Sequence, residues 1–177
     1  MIRGGTGGGN TRNGLLFENE VDLSVFLNKQ SGYQIVGQDV FYNGQLIAKT
    51  LKKYELYDFL SNQGIDWRNI ISRILLPDNS IFVFSINTIF IIECKYQETS
   101  GSADEKLQTC DFKKKQYEKL MFGSNIKVEY VYVLNSYFND SKYKDVLDYI
   151  KSVKCYYYFE NQIDILIDNI IKFGVLY

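Results

Sequence analysis

The stretch Pro77-Asp78-Asn79-Ser80-Ile81-Phe82-Val83-Phe84-Ser85-Ile86-Asn87-Thr88-Ile89-Phe90-Ile91-Ile92-Glu93-Cys94-Lys95-Tyr96 decides the fold. It holds two runs rich in β-branched and aromatic residues, Ile81–Ile86 and Thr88–Tyr96, with Asn87 between them, which predicts a hairpin. The second run is almost wholly apolar up to Glu93, the pattern of a central strand covered on both faces. Side chains alternate along a strand, so Glu93 and Lys95 project to one side and Ile92, Cys94 and Tyr96 to the other. Asp78 begins the first strand, and pairing about Asn87 carries it to the Glu93–Lys95 end. Charges on such an apolar strand are costly unless they pair with each other or hold a cation.

Outward from this hairpin, the order of elements sets the fold class. Gly14 to about Gln30 has helical spacing. Tyr33–Phe41 and Leu46–Lys49 are β-leaning around Asn43-Gly44, a tight-turn signal. Tyr54–Asn62 reads as a helix stopped by Gly64, and Asp66 as the cap of a further turn before a short strand within Trp67–Leu76. After the hairpin, Ala103–Phe122 reads as one charged helix, with Ser102 and Glu105 in capping-box positions. Lys127–Leu134 is a strand, followed by a helix at about Ser141–Lys151, a strand at Lys154–Phe159 and a terminal helix at Gln162–Lys172. Antiparallel strands followed by alternating helices and strands predict an α/β fold, a mixed central β-sheet flanked by α-helices. No repeat or linker divides the 177 residues, so 1–177 reads as a single domain. Residues 1–13 are glycine-rich and read as a mobile arm, or as one that folds on a DNA backbone through its amides and Arg12. The arm lacks the Gly-Lys-Ser/Thr ending of a phosphate-binding loop.

Composition removes much chemistry. The chain has no histidine, which excludes triads and metal sites built on imidazole. Cys94, Cys110 and Cys155 lack the paired spacing of a zinc site or a disulfide framework and read as free thiols. A net charge of −1 argues against coating nucleic acid by bulk positive charge, but not against a locally basic cleft. There is no signal-peptide pattern and no apolar run of membrane-spanning length, so the expectation is a cytoplasmic protein with no membrane association.

Two carboxylates and a lysine suit metal-assisted phosphodiester hydrolysis. Asp78 and Glu93 are the candidate Mg²⁺ ligands, with the Cys94 backbone carbonyl as a further oxygen, and Lys95 is placed to act on the attacking water or the transition-state charge. Pro77-Asp78, a gap of fourteen residues, then Glu93-Cys94-Lys95 resembles the signature of the PD-(D/E)XK nuclease superfamily. The element order from about Leu15 to Leu134 resembles its restriction-endonuclease-like core. That resemblance implies a type II restriction endonuclease-like enzyme that cuts double-stranded DNA with Mg²⁺, Mn²⁺ being able to substitute. It also implies a first-helix glutamate in the metal site: Glu18, with Glu20 as the alternative. Lys106, Gln108 and the run Lys113, Lys114 and Lys115 become candidates for phosphate contact, beside a reading of that run as a solvated face. Tyr130, Tyr132 and Tyr156–Tyr158 read as strand residues before base-stacking ones. A palindromic target implies a homodimer, and a restriction role implies a companion DNA methyltransferase. The rival readings are a junction resolvase or repair endonuclease of the same fold, and a non-catalytic nucleic-acid-binding domain.

Overall fold

The computed structural model describes residues 7–99 and 103–177, without the side chains of 7–12 and 103–104. Its seven strands lie in chain order: β1 (Tyr33–Val36), β2 (Asp39–Tyr42), β3 (Gln45–Thr50), β4 (Asn79–Val83), β5 (Thr88–Lys95), β6 (Lys127–Leu134) and β7 (Tyr156–Phe159). Pairing is antiparallel from β1 to β5 and parallel from β5 to β7. Parallel neighbours need long crossovers. These are α4 (Ala103–Leu107) with α5 (Cys110–Leu120) between β5 and β6, and α6 (Lys144–Ser152) between β6 and β7. The mixed, helix-flanked sheet is the one expected.

Alternation along the strands divides the core in two. Ile89 and Ile91 of β5 join Tyr130, Tyr132 and Leu134 of β6 beneath α3 (Tyr54–Asn62), α5 and α6. Phe90, Ile92, Val131 and Val133 face the other way, onto α1 (Gly7–Glu20), α2 (Leu23–Lys29) and α7 (Ile163–Asp168). Tyr130 and Tyr132 are fully buried, and the Tyr158 hydroxyl accepts hydrogen bonds from Asn169 Nδ2 (2.9 Å) and the Tyr177 amide (3.1 Å). These tyrosines are strand core, not stacking platforms.

Several boundaries differ from the sequence reading, each for a local reason. The first helix starts earlier, at Gly7, and divides at Val21-Asp22, where Asp22 accepts from the Ser24 amide (2.9 Å) and caps α2. Asn43 (φ 49°) and Gly44 (φ 81°) form the tight turn of β2–β3, and a second turn at Gly37-Gln38 splits the expected single strand into β1 and β2. The first strand of the deciding hairpin ends at Val83. Phe84–Ile86 make a 3₁₀ turn and Asn87 takes a left-handed conformation (φ 48°) that asparagine tolerates. The long charged helix breaks at Gln108-Thr109 into α4 and α5. Asp66 caps Trp67–Asn69, but no strand forms in 70–76. There the Tyr57 hydroxyl donates to the Leu75 carbonyl (2.6 Å) and accepts from its amide (3.0 Å), in the place of a neighbouring strand. The Ser102 cap and residues 1–6 of the arm lie outside the described residues.

Candidate active site

The register places Asn79 opposite Ile92, so Asp78 leads into β4 beside Glu93 at the end of β5. Asp78 Oδ2 accepts a hydrogen bond from the Cys94 amide (2.8 Å), which ties the two strands at their open end. Two other contacts steady this corner. Ser80 Oγ donates to the Leu51 carbonyl (2.6 Å), and the Lys53 amide donates to the Pro77 carbonyl (3.1 Å).

Lys95 lies in the middle of the oxygen donors. Its Nζ donates to Glu93 Oε2 (2.9 Å) and to the Cys94 carbonyl (2.9 Å), and lies 3.6 Å from Asp78 Oδ2. It also sits 5.7 Å from the centre of the Tyr132 ring, within cation–π range. Burial works against its charge, but Glu93 and Asp78 outweigh burial and push the Lys95 pKa upward. Lys95 is therefore an ammonium that donates hydrogen bonds.

A second ammonium enters from α5. Lys113 Nζ donates to the same Glu93 Oε2 at 2.8 Å. Burial raises the cost of ionising Glu93, but Lys95 and Lys113 together hold its pKa below the ordinary value. Asp78 moves the opposite way. Its pKa is raised, chiefly by burial and then by Glu93, against the lowering effect of Lys95 and the Cys94 amide. The Cys94 thiol, half-buried, is pushed well up by desolvation and by the charge of Asp78, which leaves it a poor nucleophile.

Glu18 reaches the cluster from α1, which docks on the end of β5 through Phe17 against Tyr96 (5.5 Å between ring centres) and Asn13 Nδ2 to Glu98 (3.2 Å). Its pKa is raised, first by burial and next by the charge of Asp78, with Glu93 adding to both. Glu20, the alternative, is exposed. The oxygen-only donor set of Asp78, Glu93 and the Cys94 carbonyl suits a hard divalent cation such as Mg²⁺, which keeps several waters of its own. The ammonium of Lys95 already occupies this set, which makes it a stand-in for a cation. Among the described residues no three histidine, cysteine or acidic side chains group closely enough to hold a metal. Glu18 adds negative charge beside Asp78 and Glu93 from the side of α1.

The outer candidates separate. Lys106 and Gln108 are exposed at the α4–α5 junction, and the Lys106 carbonyl accepts from the Tyr132 hydroxyl (3.1 Å), which links this junction to the ring beneath Lys95. Lys113 is at the centre of the cluster and not on a solvated face. Lys114 is a correction: its ammonium is buried and held by Glu129 (3.1 Å) and the Lys154 carbonyl (2.7 Å), so it is not presented to DNA. Glu129 sits on β6 ahead of the point where β7 begins pairing at Val131, away from Glu93. Lys115 is exposed and pairs with Asp111. The Arg12 side chain lies outside the described residues.

Two residues were not foreseen. Asn135 is buried; its Oδ1 accepts from the Gln97 amide (3.2 Å) and its Nδ2 donates to the Gln97 carbonyl (2.8 Å). With the Asn135 amide donating to the Lys95 carbonyl (3.2 Å), it fixes the chain as it leaves β5. Lys53, exposed ahead of α3, adopts φ 48° and ψ −112°, a conformation strained for a side-chain-bearing residue, and its charge offsets that of Asp78 on Glu18. The signal for Lys113 was present in helical spacing, since Cys110 and Tyr117 on the same face are both buried. No sequence pattern marks Asn135 or Lys53.

A family model described as a PD-(D/E)XK nuclease superfamily domain matches residues 29–118. This is just over half of the chain. It contains Asp78, Glu93, Lys95 and Lys113. The chain belongs to the PD-(D/E)XK nuclease superfamily. No curated protein and no solved structure matches it. Members of this superfamily typically use divalent metals, and a nucleic acid is the substrate class that a nuclease domain implies. Glu18 lies before the matched span, so its place beside the site rests on its charge coupling to Asp78 and Glu93 and on the docking of α1.

Proposed function

We propose that the protein is a Mg²⁺-dependent endonuclease that hydrolyses phosphodiester bonds of double-stranded DNA, and that it acts as a type II restriction enzyme. The observation that carries this is the convergence of Asp78, Glu93 and the Cys94 carbonyl around the Lys95 ammonium at the end of one hairpin. Asp78, Glu93 and the Cys94 carbonyl would hold the cation, and Glu18 would add negative charge from the side of α1. When bound, Mg²⁺ supplies Lewis-acid polarisation of the scissile phosphate and stabilises the leaving 3′-oxygen. Lys95, kept protonated by its carboxylate neighbours, donates to the charge that develops on the phosphoryl oxygens. Lys106 and Gln108 would contact the DNA backbone beside the α4–α5 junction.

The remaining parts of the proposal concern assembly and setting. The chain acts in the cytoplasm as a single nuclease domain, forms a homodimer on a palindromic site, and is accompanied by a DNA methyltransferase that protects the host. No helix among the described residues is long and apolar enough to cross a membrane. The test is cleavage of plasmid DNA by the wild type with Mg²⁺, with Mn²⁺ and with EDTA, alongside Lys95→Ala. Cutting with either metal, lost in EDTA and in the variant, is the expected result. Duplex binding without cutting under any metal, across many sequences, would instead indicate a non-catalytic binding domain. Strong preference for four-way junctions would indicate a resolvase.

A further inference from the structure

The two carboxylates around Lys95 are matched by two ammonium groups without any metal. Asp78 and Glu93 face Lys95 and Lys113, and both ammonium groups share a single oxygen, Glu93 Oε2, at 2.9 and 2.8 Å. A divalent cation that uses this oxygen meets two positive charges at hydrogen-bond distance. At least one of them must leave, because like charges in a partly buried site repel strongly. The two lysines are not equally held. Lys95 has the Cys94 carbonyl, Asp78 and the Tyr132 ring besides Glu93, and its side chain is 14% exposed. Lys113 is bonded to Glu93 alone among the described residues, and at 25% its side chain is the more exposed of the two. It also stands on a helix, α5, whose following residues Lys114 and Tyr117 are buried and fixed, so the side chain can move while the backbone stays.

We propose that Lys113 is a counter-cation to Glu93 that a divalent metal displaces, and that the released ammonium grips a phosphate of the bound strand. The inference rests on the nuclease reading of this site. Without DNA, the metal must compete with Lys113 for Glu93 and leaves an uncompensated positive charge behind. With DNA, the phosphate receives that charge. Lys113 thereby couples the two ligands, each raising the affinity for the other by the same factor, as linkage requires. Lys113 is on this account a positioning residue in the metal-free protein and a substrate-contacting one in the complex.

Calorimetric titration of Ca²⁺, which fills oxygen sites without needing turnover, into metal-free full-length protein separates this from a structural role. Lys113→Gln is expected to bind Ca²⁺ about tenfold more tightly than the wild type in the absence of DNA. The same variant should bind duplex DNA more weakly in the presence of Ca²⁺, with a salt dependence shallower by about one counterion. Lys119→Gln, on an exposed position of the same helix, should change neither. Unchanged or weaker Ca²⁺ binding by Lys113→Gln overturns the proposal. If that variant does not fold, the Lys113 side-chain nitrogen resonance of the wild type decides: it should shift on Ca²⁺ addition, and a resonance that stays in place overturns the proposal. A wild type that binds no divalent cation and cuts nothing would overturn the nuclease reading itself. Normal cutting with no effect at Lys113 would overturn only this inference.

Discussion

Glu93 and Asp78 sit side by side, yet their pKa values move in opposite directions, and this difference is testable in stability. Glu93 is held below its ordinary 4.5 by two ammonium partners that outweigh its burial. The folded state therefore binds fewer protons at Glu93 than the unfolded chain in acid. Its contribution is complete above about pH 4.5 and is lost as pH falls through the lower folded value. Asp78 is raised above its ordinary 3.8, chiefly by burial. Its ionisation therefore costs stability as pH rises from 3.8 through the raised value. At pH 7, Glu93→Gln takes the carboxylate from Lys113 and leaves Lys95 with Asp78 alone, and is expected to destabilise by about 3 kcal/mol. Asp78→Asn removes a disfavoured charge while keeping an oxygen that can accept from the Cys94 amide, and is expected to be no less stable than the wild type. Urea titrations at pH 7 and at pH 4 measure both: the Glu93→Gln deficit should shrink at the lower pH. A larger loss for Asp78→Asn than for Glu93→Gln would contradict the charge arrangement.

At the scale of elements, what was legible in the sequence is the part governed by short-range pattern. The alternation around Glu93-Cys94-Lys95, the Asn43-Gly44 turn and the Tyr54–Asn62 helix follow from periods and turn residues that lie close together in the chain, and the structure has them. The breaks at Asp22 and at Gln108-Thr109 were not legible, because a capped restart keeps helical spacing on both sides. The fate of the lysine run was divided for a similar reason. Lys113, Lys114 and Lys115 look alike in sequence, but the rotation of α5 against the sheet sends them to Glu93, Glu129 and Asp111 respectively. Asn135 was invisible because its partner, Gln97, is distant in sequence and meets it only when β5 and β6 pair in parallel. Asn135→Ala strips two hydrogen bonds from a buried backbone pair at Gln97. The expected cost is about 2 kcal/mol, read as a shift in the urea midpoint. Cleavage should fall as well, because the chain leaving Lys95 loses its anchor. An unchanged midpoint would contradict the role given to this side chain.

The whole molecule is organised by one sheet that carries a hydrophobic layer on each face, with β5 contributing alternate residues to both. Neither layer can lose its strands without exposing the other. One cooperative thermal transition is expected, with calorimetric and van't Hoff enthalpies in agreement. Two separable transitions would contradict the single-domain reading. The candidate cluster lies where α1, β4, β5 and α5 meet, so its oxygens are positioned by both layers at once. On the proposed function, a chain of net charge −1 serves a polyanion through local charge. That reading assigns the local positive charge to Lys95, Lys113, Lys106 and Lys53, and a bound metal would add to it. The central claim is that Asp78, Glu93 and Lys95 form a metal-dependent cleavage centre. Its most direct test is the rate of supercoiled plasmid nicking and linearisation in Mg²⁺ by the wild type and by Asp78→Asn, the variant expected to fold at least as well. Wild-type cutting that falls by at least about 10²-fold in the variant is the predicted result, and equal rates for the two proteins would contradict it.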